Sequence, residues 1–308
     1  MIVSFVIPLL NEAQSLPELA SSIKDVMQQE DKAYEIIFVD DGSTDDSFQV
    51  LRDLHCEHVA HVKVVRFSRN YGKAAGLSVG IQKAQGDVIV TMDADLQDNP
   101  LAVPDMLKKL EEGWDVVSGW KKVRKDPVLT KNIPSRLFNF TTSRMSGLKL
   151  HDFNCGFKAY RADAAKSLEI YGERHRYLPV LAHWNGFRVT EVPVPHQPRK
   201  YGRSKYGLNR FWNGFLDLLS LLFLRRYLRN PLHFFGLLGI VLGLGGSGVL
   251  AWFGVQWIIT GHIHLRPLML LSLGAIIMGI QFVSIGLLGE MITNANPQHN
   301  YTIRETLD

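Results

Sequence analysis

Two long apolar runs near the C-terminus, about 232–260 and 268–292, restrict this chain more than any other feature of its sequence. Each exceeds the roughly 20 residues that a helix needs to cross the hydrocarbon layer of a bilayer, so both are expected to be transmembrane helices. Nearly all charge lies before Asn230, and the mean hydropathy of zero averages a water-facing part with a lipid-facing part. The divisions expected are a domain over 1–207, an interfacial amphipathic segment over 208–231, the two spans within 232–293 and a tail over 294–308. The flank RRYLRN before the first run is rich in arginine, whereas the link GHIHLRP between the runs carries a single arginine. The positive-inside rule therefore places the N-terminal domain and the tail on the cytoplasmic side of an inner membrane. Gly239 and Gly243 in the first run, and Ala275 and Gly279 in the second, stand four apart. That spacing suits close helix contact, either within one hairpin or between copies.

The segment from Ile2 to Trp120 alternates short β-branched runs with longer amphipathic ones, the pattern of parallel strands joined by helices. Strands are expected at Val3–Pro8, Glu35–Asp40, Val62–Phe67, Val88–Asp93 and Asp115–Gly119. Their short, continuous apolar character indicates a sheet covered on both faces, a three-layer α/β domain. The opening MIVSFVIPLL lacks a basic leader and runs directly into Asn11-Glu12, so it reads as a buried strand rather than a signal. Ser15, Pro17 and Glu18 read as a capping box at a helix start, and Gly86 as the end of a helix that begins near Lys73.

Lysine and arginine gather between Lys121 and Arg229, which suits a membrane surface or an anionic substrate. No zinc-finger spacing, RNP motif or basic-aromatic repeat accompanies them, so nucleic acid is not expected as a partner. Cys56 and Cys155 are the only cysteines and stand far apart, which implies no disulfide framework. The stretch Ile133–Met145 mixes Leu137, Phe138 and Phe140 with Arg136 and Arg144; an interfacial helix and a helix packed on the sheet are both compatible with it. A second such segment, Leu208–Leu224, leads into the first apolar run.

The chemistry concentrates at Asp93-Ala94-Asp95-Leu96-Gln97, at the expected end of an apolar strand, where parallel sheets place their ligand crevice. Two carboxylates spaced by one residue there can hold a hard cation that also grips a diphosphate. Asp40-Asp41-Gly42-Ser43 ends the second strand at the same sheet edge, with Gly42, Ser43 and Thr44 serving a turn and an N-cap, and offers acceptors for a base N–H or a ribose hydroxyl. Arg199, Arg203, Ser204 and Lys205 form a basic loop ahead of the spans, suited to a phosphate or to anionic lipid; Arg225, Arg226 and Arg229 are assigned to topology. The histidines show no ligand spacing and are read as ordinary residues, with His175 and His183 as candidate sugar contacts.

The runs IPLLNE, DDGSTD, SRNYGKAAG and DADLQ, followed by HDFNCGFKAYR, VTEVPV and RKYGRSKYG, resemble in order and spacing the family 2 glycosyltransferases, in the branch of polyprenyl-phosphate mannose and glucose synthases. The resemblance covers essentially the whole chain, including the paired spans. It implies a GT-A type nucleotide-sugar-binding sheet and an inverting transfer of one sugar from a UDP- or GDP-linked donor to a polyprenyl phosphate. It implies that Pro8, Leu10, Glu12 and Asp40 surround the nucleoside with Lys73 nearby, Leu10 standing where many relatives have Tyr. It implies a Mg2+ or Mn2+ cofactor held by Asp93, Asp95 and Gln97, Asp93 also reaching the nucleotide. The acceptor phosphate is expected at Arg136, Arg199, Arg203, Ser204 and Lys205, and catalysis at Asp93, Asp95, Arg199 and Lys205. A homo-oligomer is a further implication.

A phosphate monoester has a second pKa of about 6 and is already nucleophilic at neutral pH, so no general base is required, and Asp152 is expected to be structural or to touch a sugar hydroxyl. A processive polysaccharide synthase would need more spans and the pattern QxxRW, which is missing here. A non-catalytic binding module is disfavoured by the intact DADLQ and basic loop. A dinucleotide oxidoreductase is disfavoured because PLLNEAQSL has no glycine fingerprint.

Overall fold

The computed structural model describes residues 1–122, 133–172, 174–195, 197, 200, 230–262 and 266–295, with the side chains of 133–138, 174, 294 and 295 left aside. The chain divides into two compact units, one drawn from Met1–Asp217 with Thr302–Asp308 and the other from Leu218–Tyr301.

The first unit is a seven-stranded sheet in the order β3-β2-β1-β4-β6-β5-β7. Its strands are β1 (Ile2–Leu9), β2 (Ala33–Asp40), β3 (Val62–Arg66), β4 (Val88–Thr91), β5 (Val116–Trp120), β6 (Lys158–Arg161) and β7 (Val189–Pro193). β1 pairs in parallel with β2 and β4, β2 with β3, and β5 with β7, while β6 runs antiparallel between β4 and β5. The five expected strands are present; β4 stops at Thr91, so Asp93 lies in the turn beyond it. β6 and β7 are additional to them.

Strands without hydrophobic alternation need cover on both sides, and both sides are covered. On one face Val3, Phe5 and Ile7 of β1 pack with α1 (Leu16–Gln29), α2 (Ser47–Glu57) and α4 (Val103–Glu111). On the other, Val6, Ile37, Val39 and Ile89 pack with α3 (Lys73–Lys83), α6 (Ala162–Lys166) and α7 (Leu178–Trp184). α1 turns Leu16, Leu19, Ala20, Ile23, Val26 and Met27 inward, the i, i+3, i+4, i+7 spacing of one helical face.

Three local readings are corrected. The capping box does not form: Ser15 is already helical in backbone, and its hydroxyl donates to Glu12 O at 2.9 Å. α2 begins later than the DDGS turn, with Asp46 as N-cap, and Asp45 Oδ1 accepts from Ser47 N at 3.0 Å. α3 ends at Lys83, and Gly86 serves a close approach, because a Cβ there would sit 2.6 Å from both Ile2 O and Ser4 Oγ. The expected helix at Ile133–Met145 is present as α5 (Ile133–Ser146), with Phe140 and Met145 exposed.

The second unit holds two helices, Pro231–Thr260 and Pro267–Ala295. Both are long and apolar enough to cross a membrane, with mean hydropathies of 2.0 and 2.2 over their apolar stretches. They pack as an antiparallel hairpin through small residues: a Cβ on Gly239 would lie 2.5 Å from Gly279 O, and one on Gly246 would lie 2.5 Å from Ser272 O. The small-residue spacing is thus used inside one hairpin. Leu237, Ile240, Leu244, Ile258, Leu271 and Ile280 face outward. The interfacial segment expected at 208–231 falls, up to Arg229, outside the described residues.

Candidate active site

The chain winds from β1 to β2 and β3 on one side of the sheet, then crosses to β4 on the other, so the carboxyl ends of β1 and β4 flank the switch point where open α/β sheets bind ligands. Pro8 stands in β1 opposite Val39 of β2, and Asp40 ends β2. Leu10 and Glu12 follow β1 in a loop stitched to the next one: Asn11 N donates to Ser43 Oγ and Glu12 N to Ser47 Oγ, both at 2.9 Å. Asp40 is fully buried; its Oδ1 accepts from Ser43 N at 2.8 Å, and its Oδ2 lies 3.5 Å from Arg66 Nε. Asp41 fixes the loop before α3, its two carboxylate oxygens accepting from Tyr71 N at 2.6 Å and Gly72 N at 2.9 Å. Gly42 is required there: its φ is +74°, and a Cβ would lie 2.6 Å from Arg69 C.

Gly76 lets α3 settle on β1, since a Cβ there would meet Pro8 Cβ at 2.9 Å. That seating carries Lys73, the first residue of α3, to Asp93, where its ammonium forms an ion pair with Oδ1. Gly156 closes the other side, a Cβ on it falling 3.0 Å from both Asp93 oxygens and 3.1 Å from Lys73 Nζ. Burial pushes the Asp93 carboxyl up, but the charge of Lys73 and its hydrogen bond outweigh this, and with Lys121 and His175 hold it at about 2. Asp93 is therefore ionised throughout the neutral range, with a side chain still 37% exposed.

The remainder of the loop is shaped for the same purpose. Ala94 and Leu96 are buried in the core, and Leu96 takes a left-handed backbone with φ 60°, a conformation costing a β-carbon residue about 1 kcal/mol or more. Asp95 is buried, and its Oδ1 accepts from Gln97 N at 3.2 Å. Asp98 accepts from Asp93 N at 3.3 Å through Oδ2 and pairs with Lys121 Nζ at 2.8 Å through Oδ1. Burial lowers the Lys121 pKa, but Asp98 more than reverses this, so that ammonium stays charged. The ion pair struts the loop from beneath.

The sequence of this unit agrees with the description Glycosyl transferase family 2 over residues 4–169. The chain belongs to that family. It is 37% identical over 315 residues to a dodecaprenyl-phosphate galacturonate synthase of Rhizobium johnstonii, covering 99% of this chain and 93% of the relative. It is 35% identical over 297 residues to an undecaprenyl-phosphate 4-deoxy-4-formamido-L-arabinose transferase of Salmonella choleraesuis, covering 94% of this chain and 88% of that one. In three dimensions it is similar to glucosyl-3-phosphoglycerate synthase of Mycobacterium tuberculosis, seen with Mn2+, UDP-glucose and phosphoglyceric acid, with a TM-score of 0.55 and 19% identity over 73% of this chain and 79% of the other. The sheet of this family 2 glycosyltransferase is accordingly of the GT-A type.

Pro8, Leu10, Glu12, Asp40, Lys73, Asp93, Asp95 and Gln97 all lie at one sheet edge of the transferase, in or just beyond β1, β2, β4 and the start of α3. Arg199, Arg203, Ser204 and Lys205 lie outside the described residues, and Arg136 is placed only as a residue of α5. Two neighbours of that basic loop are described: Gln197 N donates to Gln97 O at 3.2 Å, and Lys200 pairs with Glu18. Asp152 is buried and its Oδ1 accepts from Asn154 N at 3.1 Å, in keeping with a structural role.

Sequence reasoning missed Asp98, Lys121, Gly156 and Lys158. Lys158 is buried in β6 with its ammonium on Cys155 O, and burial lowers its pKa. A lysine directly after an apolar strand, as Lys121 is after β5, was the available signal. His175 adds a buried Nδ1 that has no hydrogen-bond partner among the described residues; burial first, then the charges of Lys73 and Arg176, push its pKa down to about 3, so the ring is neutral.

Proposed function

We propose that this glycosyltransferase moves a single sugar, with inversion, from a UDP- or GDP-linked donor to a polyprenyl phosphate at the cytoplasmic face of a membrane, with Mg2+ or Mn2+ as cofactor. The observation that carries the reading is Asp93, paired with Lys73, and Asp95, braced by Gln97 N, two positions apart in the loop beyond β4, in a chain whose curated relatives over nearly all its length are named as polyprenyl-phosphate sugar transferases.

The residues fit a divalent cation. Among the described residues no group of three or more His, Cys, Asp or Glu gathers, and a site of two carboxylates and an amide leaves positions for diphosphate oxygens, as magnesium prefers. Asp93, Asp95 and Gln97 would hold the ion, which supplies charge neutralisation to the departing diphosphate.

The nucleoside is accommodated against Pro8, Leu10 and Glu12, while Asp40, fully buried with its Oδ1 on Ser43 N, holds the neighbouring turn in place. Lys73 adds positive charge where the diphosphate lies, at the start of α3, whose first amides also favour an anion. The acceptor phosphate, mostly dianionic at neutral pH, needs positioning more than proton removal. That task belongs to Arg136, Arg199, Arg203, Ser204 and Lys205. The two apolar helices keep the active unit where a polyprenyl chain resides.

The test is transfer of radiolabelled sugar from a panel of UDP- and GDP-sugars into an organic-extractable lipid, using undecaprenyl phosphate with Mg2+ or Mn2+. One donor is expected to label the lipid, and Asp95→Ala to lower the rate by at least about a hundredfold. A water-soluble or polymeric product in place of labelled lipid would sink the acceptor assignment.

A further inference from the structure

Asp93 faces two demands: as a cation ligand it must offer its oxygens outward, yet Oδ1 is already held by the Lys73 ammonium. The pairing is built in. Asp41 pins the backbone of Tyr71 and Gly72, which fixes where the Lys73 side chain begins, and Gly156 leaves just enough room behind the pair. Lys121 adds a second ammonium whose charge bears on Asp93, itself tied to Asp98. A divalent ion arriving at Asp93 and Asp95 alone would therefore come against the Lys73 charge on the carboxylate it must share.

We propose that Lys73 is a stand-in cation: it occupies Asp93 in the absence of donor and transfers its ammonium to the donor's diphosphate, freeing Asp93 for the metal. The inference rests on the metal and donor reading given above and adds a coupling to it. One ion pair, Lys73 with Asp93, is exchanged for two, Lys73 with the diphosphate and Asp93 with the ion. Because linkage is reciprocal, nucleoside diphosphate and metal each raise the other's affinity by one common factor. Lysine suits such an exchange, as a compact charge on a flexible stem that can leave one acceptor for another a few ångströms away. The device keeps the site from filling with metal that has no donor to serve.

The coupling is read from Mn2+ titrations of the full-length protein in detergent, with free ion followed by electron paramagnetic resonance, without nucleotide and with UDP or GDP after correction for the Mn–nucleotide complex. In the wild type one nucleotide is expected to tighten Mn2+ binding by at least about tenfold. Lys73→Met should bind Mn2+ about tenfold more tightly than wild type without nucleotide, and its nucleotide enhancement should be about tenfold smaller than that of the wild type, what remains coming from diphosphate oxygens on the ion itself. Lys73→Arg, which retains a cation for Asp93, should resemble the wild type in the absence of nucleotide. Lys73→Met binding no more tightly than wild type would overturn the exchange while leaving the metal site standing, provided Asp95→Ala still abolishes binding. Undiminished Mn2+ binding in Asp95→Ala, or none in the wild type with either nucleotide, would remove the metal reading and the exchange together.

Discussion

Single residues show most directly how the sheet edge is held. Glu35 of β2 is buried, accepts from Ser4 Oγ and Gln85 N at 2.6 Å each, and pairs with Lys63 Nζ at 2.6 Å. Burial pushes its carboxyl up, but the bonds from Lys63, Ser4 and Gln85 outweigh that and leave it below the ordinary glutamate range. A depressed folded-state pKa contributes stability that is complete above the unfolded value of about 4.3 and is lost as pH falls through the folded one. Glu35→Gln should therefore destabilise the protein by about 1–3 kcal/mol at neutral pH, with the gap in apparent melting temperature closing as the buffer is taken into the acid range. A gap of constant size would assign the cost to packing. At this scale the sequence was readable for charge and not for partner. Asp40 and Asp41 look alike in DDGS, yet one turns inward to Ser43 while the other grips the next loop. Lys121 reads as the head of a basic run and instead lies half-buried, paired with Asp98. Nothing in the order of residues tells which carboxylate a distant ammonium will meet.

Among the elements, those that supply their own hydrophobic pattern were legible, and those stabilised by neighbours were not. β1 to β5 each announce themselves as apolar runs. β6 is four residues, KAYR, charged at both ends, and exists because β4 and β5 pair with it on either side. β7 was visible only as part of the motif VTEVPV. The hairpin shows the same dependence on context, because the spacing of Gly239 and Gly243 does not disclose at which of them the other helix fills the place of a Cβ. Gly239→Ala would press a methyl to 2.5 Å from Gly279 O, whereas a Cβ on Gly243 has nothing within 4 Å. Gly239→Ala should thus lower the apparent stability in detergent by about 1–3 kcal/mol, and Gly243→Ala by less than about 0.5 kcal/mol. Equal effects from the two would mean that the helices meet through another face.

For the molecule as a whole, the separation of charge from apolar length was plain from the sequence, and two helices long and apolar enough to cross a membrane stand where it puts them. Its orientation in a membrane can be read with the protein's own cysteines. Cys56 is exposed, while Cys155 is buried and its thiol is pushed up to about 12 by that burial, so one thiol reacts and the other does not. An impermeant maleimide should label Cys56 in inside-out vesicles and spare it in right-side-out ones, and Cys56→Ser should abolish the signal. Labelling in the opposite vesicles would reverse the proposed topology. The hairpin carries one more consequence. Two helices joined so closely that glycine backbones touch enclose no lumen, and an antiparallel pair returns the chain to the side it left. The described helices therefore offer a lipid-linked sugar no passage of their own to the opposite leaflet.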